Sequence, residues 1–349
     1  MADNGRTPRI GVVGAGALGY HHVRILRDLP GARFAGFHEQ SAERRAQVAS
    51  ELGVPAFESL DALIDACDAL TVVVPTPAHY AVARAALERG KHLLIEKPIT
   101  ATLDEADELL ALAERNGAVV QTGHVERFNR AVRAALPYVD APRFIESDRL
   151  APFSMRGADV AVVLDLMIHD IDLVRTLVGS HVSEVRATGV GVLTPTVDIA
   201  NARLAFESGA VANITASRVS RERLRKIRIF QQSGYLSLDL AAGNGEFFRM
   251  RRDVDLAKVA ASVASTAGAP AGPLDLALFV ERVPLDAPEG EPLRLEFESF
   301  VAAIRGEAPP TVTGADGREA LDVALRIVSE IERTLPALRG VAAQPAVAS

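Results

Sequence analysis

The 349-residue chain has one cysteine, Cys67. A lone thiol cannot form an intramolecular disulfide, which fits a reducing compartment. No apolar run approaches the roughly 18 residues that a membrane span needs. The opening stretch MADNGRTPR lacks the apolar core of a secretory signal, so the expected location is the cytoplasm and no membrane partner is expected. Basic residues are not in excess either. The 38 Lys and Arg stand against 45 Asp and Glu, for a net charge of −7. That balance argues against a nucleic-acid partner, although a local basic pocket for an anionic small molecule can exist on an acidic protein. No solenoid-type repeat is present.

What the chain does have is the composition of a packed globular protein, with 48% apolar and 24% charged residues. At roughly 100–200 residues per domain, the length predicts two domains, each able to bury a core. From residue 9 to 123, short apolar runs (RIGVVG, RFAGFHE, ALTVVVP, HLLIEK, AVVQTG) alternate with helix-length amphipathic segments. Nearly continuous Val, Ile and Leu runs suit strands buried on both faces, and their alternation with helices predicts a doubly wound parallel sheet. Local signals agree. Thr102 and Glu105 form a capping box, Asn116-Gly117 ends that helix, and Gly90 stands near a helix C-terminus.

After about residue 124 the pattern changes. A long apolar helix is expected at about 158–178. ARLAFESGAVANITAS and KIRIFQQSGYLSLDL read as hairpins turning at Ser208-Gly209 and Ser233-Gly234. This predicts an α+β second unit with an antiparallel sheet, closed by helices at 295–306 and 315–335. Residues 262–275 read as a mobile Ala/Gly/Pro-rich loop, and the tail 340–349 reads as disordered. The expected domains are therefore 1–124 and 125–349.

Gly14-Ala15-Gly16-Ala17-Leu18-Gly19 matches GxGxxG, placed between the strand RIGVV and a helix. The first glycine permits the tight turn, the second lets the backbone approach a pyrophosphate, and the third allows close helix–strand packing. The free N–H groups at the helix N-terminus would receive the phosphates. Glu39 follows Gly19 by 20 residues and can accept the ribose hydroxyls of NAD. It favours NAD over NADP, while Arg44 and Arg45 nearby could still admit NADP.

Glu96, Lys97 and Pro98 end the strand HLLIEK, where ligands of open α/β sheets bind. Glu96 and Lys97 are therefore placed at the cofactor cleft. In ADVAVVLDLMIHDIDLVRTLVG, Asp165, His169 and Asp172 are spaced i, i+4, i+7. At about 100° per residue they share one stripe of an otherwise apolar helix, and buried charge is expensive unless paired or functional. Asp165 and His169 are candidate catalytic and substrate-binding groups. No cysteine or second histidine stands in register with them, so no metal site is expected. Glu126 and Arg127, just beyond the last parallel strand, are expected to face the interdomain cleft and the substrate. Arg218, Arg221, Arg223, Arg225 and Lys226 read as solvated charge or a subunit contact in preference to a phosphate site.

Together GAGALG (14–19), PTPAH (75–79), EKP (96–98) and DLMIHDID (165–172) resemble the Gfo/Idh/MocA oxidoreductases over about residues 8–335. The resemblance implies a Rossmann domain joined to a domain with an open, predominantly antiparallel sheet. It implies a nicotinamide-dependent dehydrogenase acting on a secondary alcohol of a sugar or cyclitol, or the reverse reduction. It assigns Lys97 to the reacting hydroxyl, pairs Asp165 with His169, lines the cofactor cleft with Pro75, Thr76 and His79, and implies a cis peptide before Pro98. Ala78 departs from the asparagine frequent in this motif. GHVERFNRAV (123–132), APFSMRGADVAVVLDLMIHDIDLV (151–174) and SRVSRERLRKIRIFQ (217–231) further resemble bacterial nucleotide-sugar 3-dehydrogenases acting on UDP-N-acetylglucosamine or its uronic acid.

On this reading His169 takes the hydroxyl proton, Asp165 orients the imidazole and Lys97 steadies the alkoxide. A desolvated Lys97 could instead be the base. An inositol or free-sugar dehydrogenase is the alternative, and a non-catalytic NAD sensor is the rival from another class. An open sheet exposing apolar area leads to the expectation of a homodimer or homotetramer.

Overall fold

Each of the five apolar runs of the N-terminal part becomes a strand, because only a sheet covered on both faces can bury it. In a computed structural model, which describes residues 7–155, 157, 160–251 and 279–339, these are β1 (Arg9–Val13), β2 (Arg33–His38), β4 (Ala69–Val72), β5 (His92–Glu96) and β6 (Val120–Gly123). A two-residue β3 (Ala56–Phe57), too short to read from periodicity, adds an edge. All pairings are parallel, in the order β3-β2-β1-β4-β5-β6. The order reverses between β1 and β4, and that switch point opens a crevice at the strands' carboxyl ends.

The intervening helices are α1 (Ala17–Arg27), α2 (Ala42–Leu52), α3 (Leu60–Ala66), α4 (His79–Leu87) and α5 (Leu103–Asn116). α5 carries the capping box: Thr102 Oγ1 accepts from Glu105 N while Glu105 reaches back, and Gly117 ends the helix in the left-handed region. Gly90 is also left-handed (φ 67°), three residues beyond the end of α4.

Among the described residues the second sheet has eight strands: β7 (Phe144–Leu150), β8 (Val182–Val190), β9 (Ile199–Phe206), β10 (Val211–Ser217), β11 (Leu224–Gln231), β12 (Gly234–Asp239), β13 (Asn244–Met250) and β14 (Val280–Leu285). The spatial order is β14-β13-β12-β11-β7-β10-β9-β8. Among these strands only β7 and β10 pair in parallel. Both expected hairpins form, β9–β10 and β11–β12. Short α6 (Arg130–Ala135) precedes this sheet, and α7 (Ile168–Val178) packs across its inner face with α9 (Gly314–Arg339).

Two departures from the sequence reading bear on the site. The helix expected at about 158–178 opens with a π-helical turn, Val163–Met167, and becomes α-helical only at Ile168. Gly157, at φ 75°, makes the turn that precedes it. The chain also returns to the first unit near its end. Phe297 and Phe300 of α8 (Pro292–Ile304) are fully buried with Ile10, Val12 and Leu94. Residues 262–275 and 340–349 lie outside the described residues.

Candidate active site

The glycine loop is shaped by what a side chain would hit. A Cβ on Gly14 (φ 93°) would lie 2.4 Å from the Val73 carbonyl oxygen, and one on Gly19 would lie 2.1 Å from the Gly14 carbonyl oxygen. A Cβ on Gly16 meets nothing within 4 Å, and no side chain caps α1 there. Gly16 and Ala17 are exposed, Leu18 is half-buried and Ala15 is buried. The N-terminus of α1 thus presents uncapped N–H groups and its positive dipole end to open space, which suits a dinucleotide pyrophosphate. Glu39, just past β2, accepts from Ala15 N (2.8 Å) and Ser41 N (3.0 Å). Arg44 Nε donates to the Ala15 carbonyl and Arg45 to the Glu39 carbonyl, so both arginines already hold backbone oxygens around this loop.

Pro75 and Thr76 form the turn after β4. His79 is buried behind it, within 2.8 Å of the Val74 carbonyl oxygen and 2.9 Å of the Pro98 carbonyl oxygen. It is a strut between two cleft loops, not a group on the cleft wall. Glu96 is also buried. Its carboxylate pairs with His22 Nε2 (3.2 Å) and accepts from Lys97 N (3.1 Å), while His22 Nδ1 meets Thr71 Oγ1 (2.9 Å). Glu96 therefore ties helix α1 to the backbone of Lys97. The Lys97–Pro98 peptide is cis.

Lys97 crosses to the other unit, where its Nζ donates to the Asp165 carbonyl oxygen at 2.6 Å. The π-helical turn interrupts the regular backbone ladder at this point, a common arrangement at functional sites. The Asp165 carboxylate lies 3.6 Å from the same Nζ. Burial lowers the Lys97 pKa, opposed by Asp165 and Glu96. His169 is partly exposed, and the nitrogen withdrawn from solvent, Nδ1, has no hydrogen-bond partner among the described residues. Burial, reinforced by the positive charges of Lys97 and Arg149, drives its pKa well below 6.5. Asp165 therefore pairs with Lys97 and does not hold the His169 ring, contrary to the orienting role expected from i, i+4 spacing; the wider π turn removes the alignment that an α-helix would give. A cavity of about 230 Å³ opens beside Asp165, lined also by Ala151, Pro152, Ser154, Leu166 and Arg218.

Buried ion pairs and carbonyl contacts engage charges singled out in the sequence. Asp172 is fully buried in a bidentate pair with Arg127 (2.6 and 2.8 Å), and Arg127 also lies 3.4 Å from Asp316. Arg127 therefore has structural partners, and it also lines a cavity of about 330 Å³ with Arg175, Thr176 and Asp316. Glu126 is likewise buried, bonded to Arg149 (2.8 Å), Arg225 (3.3 Å) and Asn129 (3.0 Å). Arg218, read as solvated, is buried against the Gly157 and Val160 carbonyls. Arg221, Arg223 and Lys226 are exposed, and Arg225 is half-buried.

Sequence reading missed Arg149, Asp170 and His124. Arg149 and Asp170 form a buried pair at 2.6 Å beneath His169. The inward period of β7, Ile145-Ser147-Arg149, was the available signal. His124, wholly buried at the end of β6, stands edge-to-face with His169 at a ring separation of 6.2 Å.

Residues 8–124 match the family model described as an oxidoreductase family with an NAD-binding Rossmann fold. Residues 140–237 match the Gfo/Idh/MocA C-terminal domain. The chain is 37% identical to UDP-N-acetylglucosamine 3-dehydrogenase of Acidithiobacillus ferrooxidans, over 94% of this chain and 98% of that one. A solved structure of that enzyme superposes with a TM-score of 0.84, at 36% identity over 94% and 98% of the two chains. The scyllo-inositol 2-dehydrogenase (NAD(+)) of Bacillus subtilis is 30% identical over 61% of this chain and 68% of its own. A levoglucosan dehydrogenase structure, in complex with NADH and levoglucosan, shares the fold with a TM-score of 0.77 at 18% identity, covering 93% of this chain and 97% of that one.

Proposed function

The chain belongs to the Gfo/Idh/MocA family of NAD-binding oxidoreductases, and from that premise we propose that it oxidises C3 of a UDP-N-acetylhexosamine, or of its uronic acid, with NAD as acceptor in the cytoplasm. The observation that carries the substrate is the 37% identity to a UDP-N-acetylglucosamine 3-dehydrogenase across nearly the full length of both chains. The inositol dehydrogenase relative supports a second reading, a cyclitol substrate, over a shorter stretch.

The glycine loop from Gly14 to Gly19, with Glu39, Pro75 and Thr76, would hold the dinucleotide. A bound nicotinamide supplies the hydride acceptor. Glu39 favours NAD, since its carboxylate would repel a 2′-phosphate. Lys97 and His169 come from different units and meet at the cleft, which is where a reacting hydroxyl would lie. His169, neutral at pH 7, accepts the hydroxyl proton, and Lys97 steadies the oxygen as charge develops there. Asp165 holds Lys97 in place through its carbonyl and carboxylate. Glu126 and Arg127, bound into ion pairs, act on the substrate only by shaping the cleft wall. We take residues 1–124 as the cofactor unit and 125–349 as the substrate unit, with α8 reaching back, and a homodimer or homotetramer as the working assembly.

The test is a screen of NAD reduction and thermal shift across nucleotide sugars, free sugars and inositols. Turnover confined to UDP-N-acetylhexosamines or their uronic acids is the expected result. Preferred turnover of an inositol would replace it with the second reading, and cofactor binding without turnover would favour a sensor.

A further inference from the structure

His169 is the expected proton acceptor, yet its surroundings oppose the cation it would become. It is desolvated, and Lys97, Arg149 and Arg225 all disfavour an imidazolium there. Its inner nitrogen, Nδ1, is buried and unpartnered. Facing it from the end of β6 is His124, whose own two ring nitrogens are both buried and without a partner, at 0% exposure. Buried polar side-chain atoms nearly always have a partner, either protein or ordered water. Among the described residues, three imidazole nitrogens on two rings 6.2 Å apart and perpendicular have no protein partner, so water is the partner left to them. The two rings make no direct hydrogen bond, so a contact between them needs a bridging water.

From these positions we propose that His124 is the inner partner of His169. Through one water it fixes His169 as the Nδ1–H tautomer and receives the proton that His169 sheds during turnover. The inference rests on the reading of His169 as proton acceptor. As the substrate carbon gives up its hydride, the hydroxyl proton passes to His169 Nε2. The Nδ1 proton moves to the bridging water, which passes one of its own protons to a free nitrogen of His124. The positive charge then rests on His124, where burial opposes it first, Arg127 and Lys97 add to that opposition, and the carboxylates of Asp172 and Glu96 favour it. The net depression is smaller there than at His169, which has no carboxylate among the leading charges acting on it. After the product leaves, the proton returns by the same route to solvent. His169 is thus neutral at the start of each cycle without having to store the charge itself.

The test uses the full-length protein with NAD bound, labelled with [15N]histidine, and compares wild type, His124→Phe and His124→Gln. In the wild type, ring 15N shifts should show His169 as a single Nδ1–H tautomer. His124→Phe keeps an aromatic ring but no nitrogen, so the two tautomers should mix and kcat should fall about tenfold or more, less than the roughly 10²–10⁴-fold of a group that takes the proton directly. His124→Gln can donate to and accept from the same water but cannot carry the charge. It should restore the tautomer and leave kcat low, with KM unchanged. An unchanged His169 tautomer in His124→Phe would overturn the proposal, whether or not a substrate is in hand. Wild-type kcat in either variant would overturn the relay. Failure of the wild type to oxidise any sugar bears instead on the proposed function.

Discussion

Lys97 and His169 are both depressed by the same burial, with opposite consequences for catalysis. His169 works as the neutral base, and its pKa lies well below 6.5. Lys97 works as the cation, and its pKa lies below 10.5. Activity should therefore rise with pH on an acid limb below 6.5, as His169 loses its proton. It should then fall on an alkaline limb below 10.5, as Lys97 loses its own. A kcat/KM profile flat down to the pH of unfolding, combined with near-normal turnover in His169→Ala, would make Lys97 the leading base. His169→Ala and Lys97→Ala should each lower turnover by about 10²–10⁴-fold while NAD affinity, read by fluorescence titration, stays close to wild type. The Arg127–Asp172 pair gives a contrasting case. Because both side chains are nearly inaccessible (9% and 1%), removing one leaves an uncompensated buried charge. Arg127→Ala should then cost on the order of 3–5 kcal/mol in urea unfolding. A stability loss below 1 kcal/mol accompanied by a raised KM would return Arg127 to the substrate role first read for it.

At the scale of elements, what could be read from the sequence was what is encoded locally. The β1–loop–α1 unit, the capping box of α5 and the two hairpins each depend on residues within one short segment. The π-helical turn was not legible, because Asp165 and His169 have the same spacing in an α-helix, and what distinguishes the two is Lys97, 68 residues away, bonding the Asp165 carbonyl. The buried ion pairs were missed for the same reason: Asp172 finds its partner 45 residues away and Asp170 finds Arg149 at 21. Charge on an apolar helix signalled that partners had to exist without saying whether they were protein or substrate. The local devices make their own predictions. Thr102→Ala removes the N-cap of α5 and should destabilise by about 0.5–2 kcal/mol in thermal or urea unfolding. Gly19→Ala places a Cβ against the Gly14 carbonyl oxygen. It should abolish NAD binding in a titration, and unaltered NAD affinity would mean that the loop has room that the close approach denies.

For the whole molecule, the question is what covers the outer face of the eight-stranded sheet. α7 and α9 pack on the inner face, where Ile145, Leu204, Ile214, Ile227 and Ile229 are buried. On the outer face, Phe144, Phe230, Tyr235 and Phe248 of β7, β11, β12 and β13 stack in one row, with ring separations of 5.6, 5.5 and 4.6 Å. All four are half-buried, and the flanking positions hold ion pairs such as Arg228–Glu146. An aromatic row with a polar surround has the composition of an interface core and rim. A twofold-related copy laid across the same strands would cover it symmetrically, and a sheet of eight strands is broad enough for a standard interface of about 1,200–2,000 Å². We therefore expect a dimer, or a tetramer built from it, at micromolar concentration. Light scattering on a sizing column should return at least twice the chain mass of 37.1 kDa. Tyr235→Glu should shift the mass toward the monomer with the far-ultraviolet circular dichroism unchanged, because the charge enters a position that water can already reach. A wild-type mass of one chain would refute the assembly. A wild-type dimer untouched by Tyr235→Glu would place the interface on some other face.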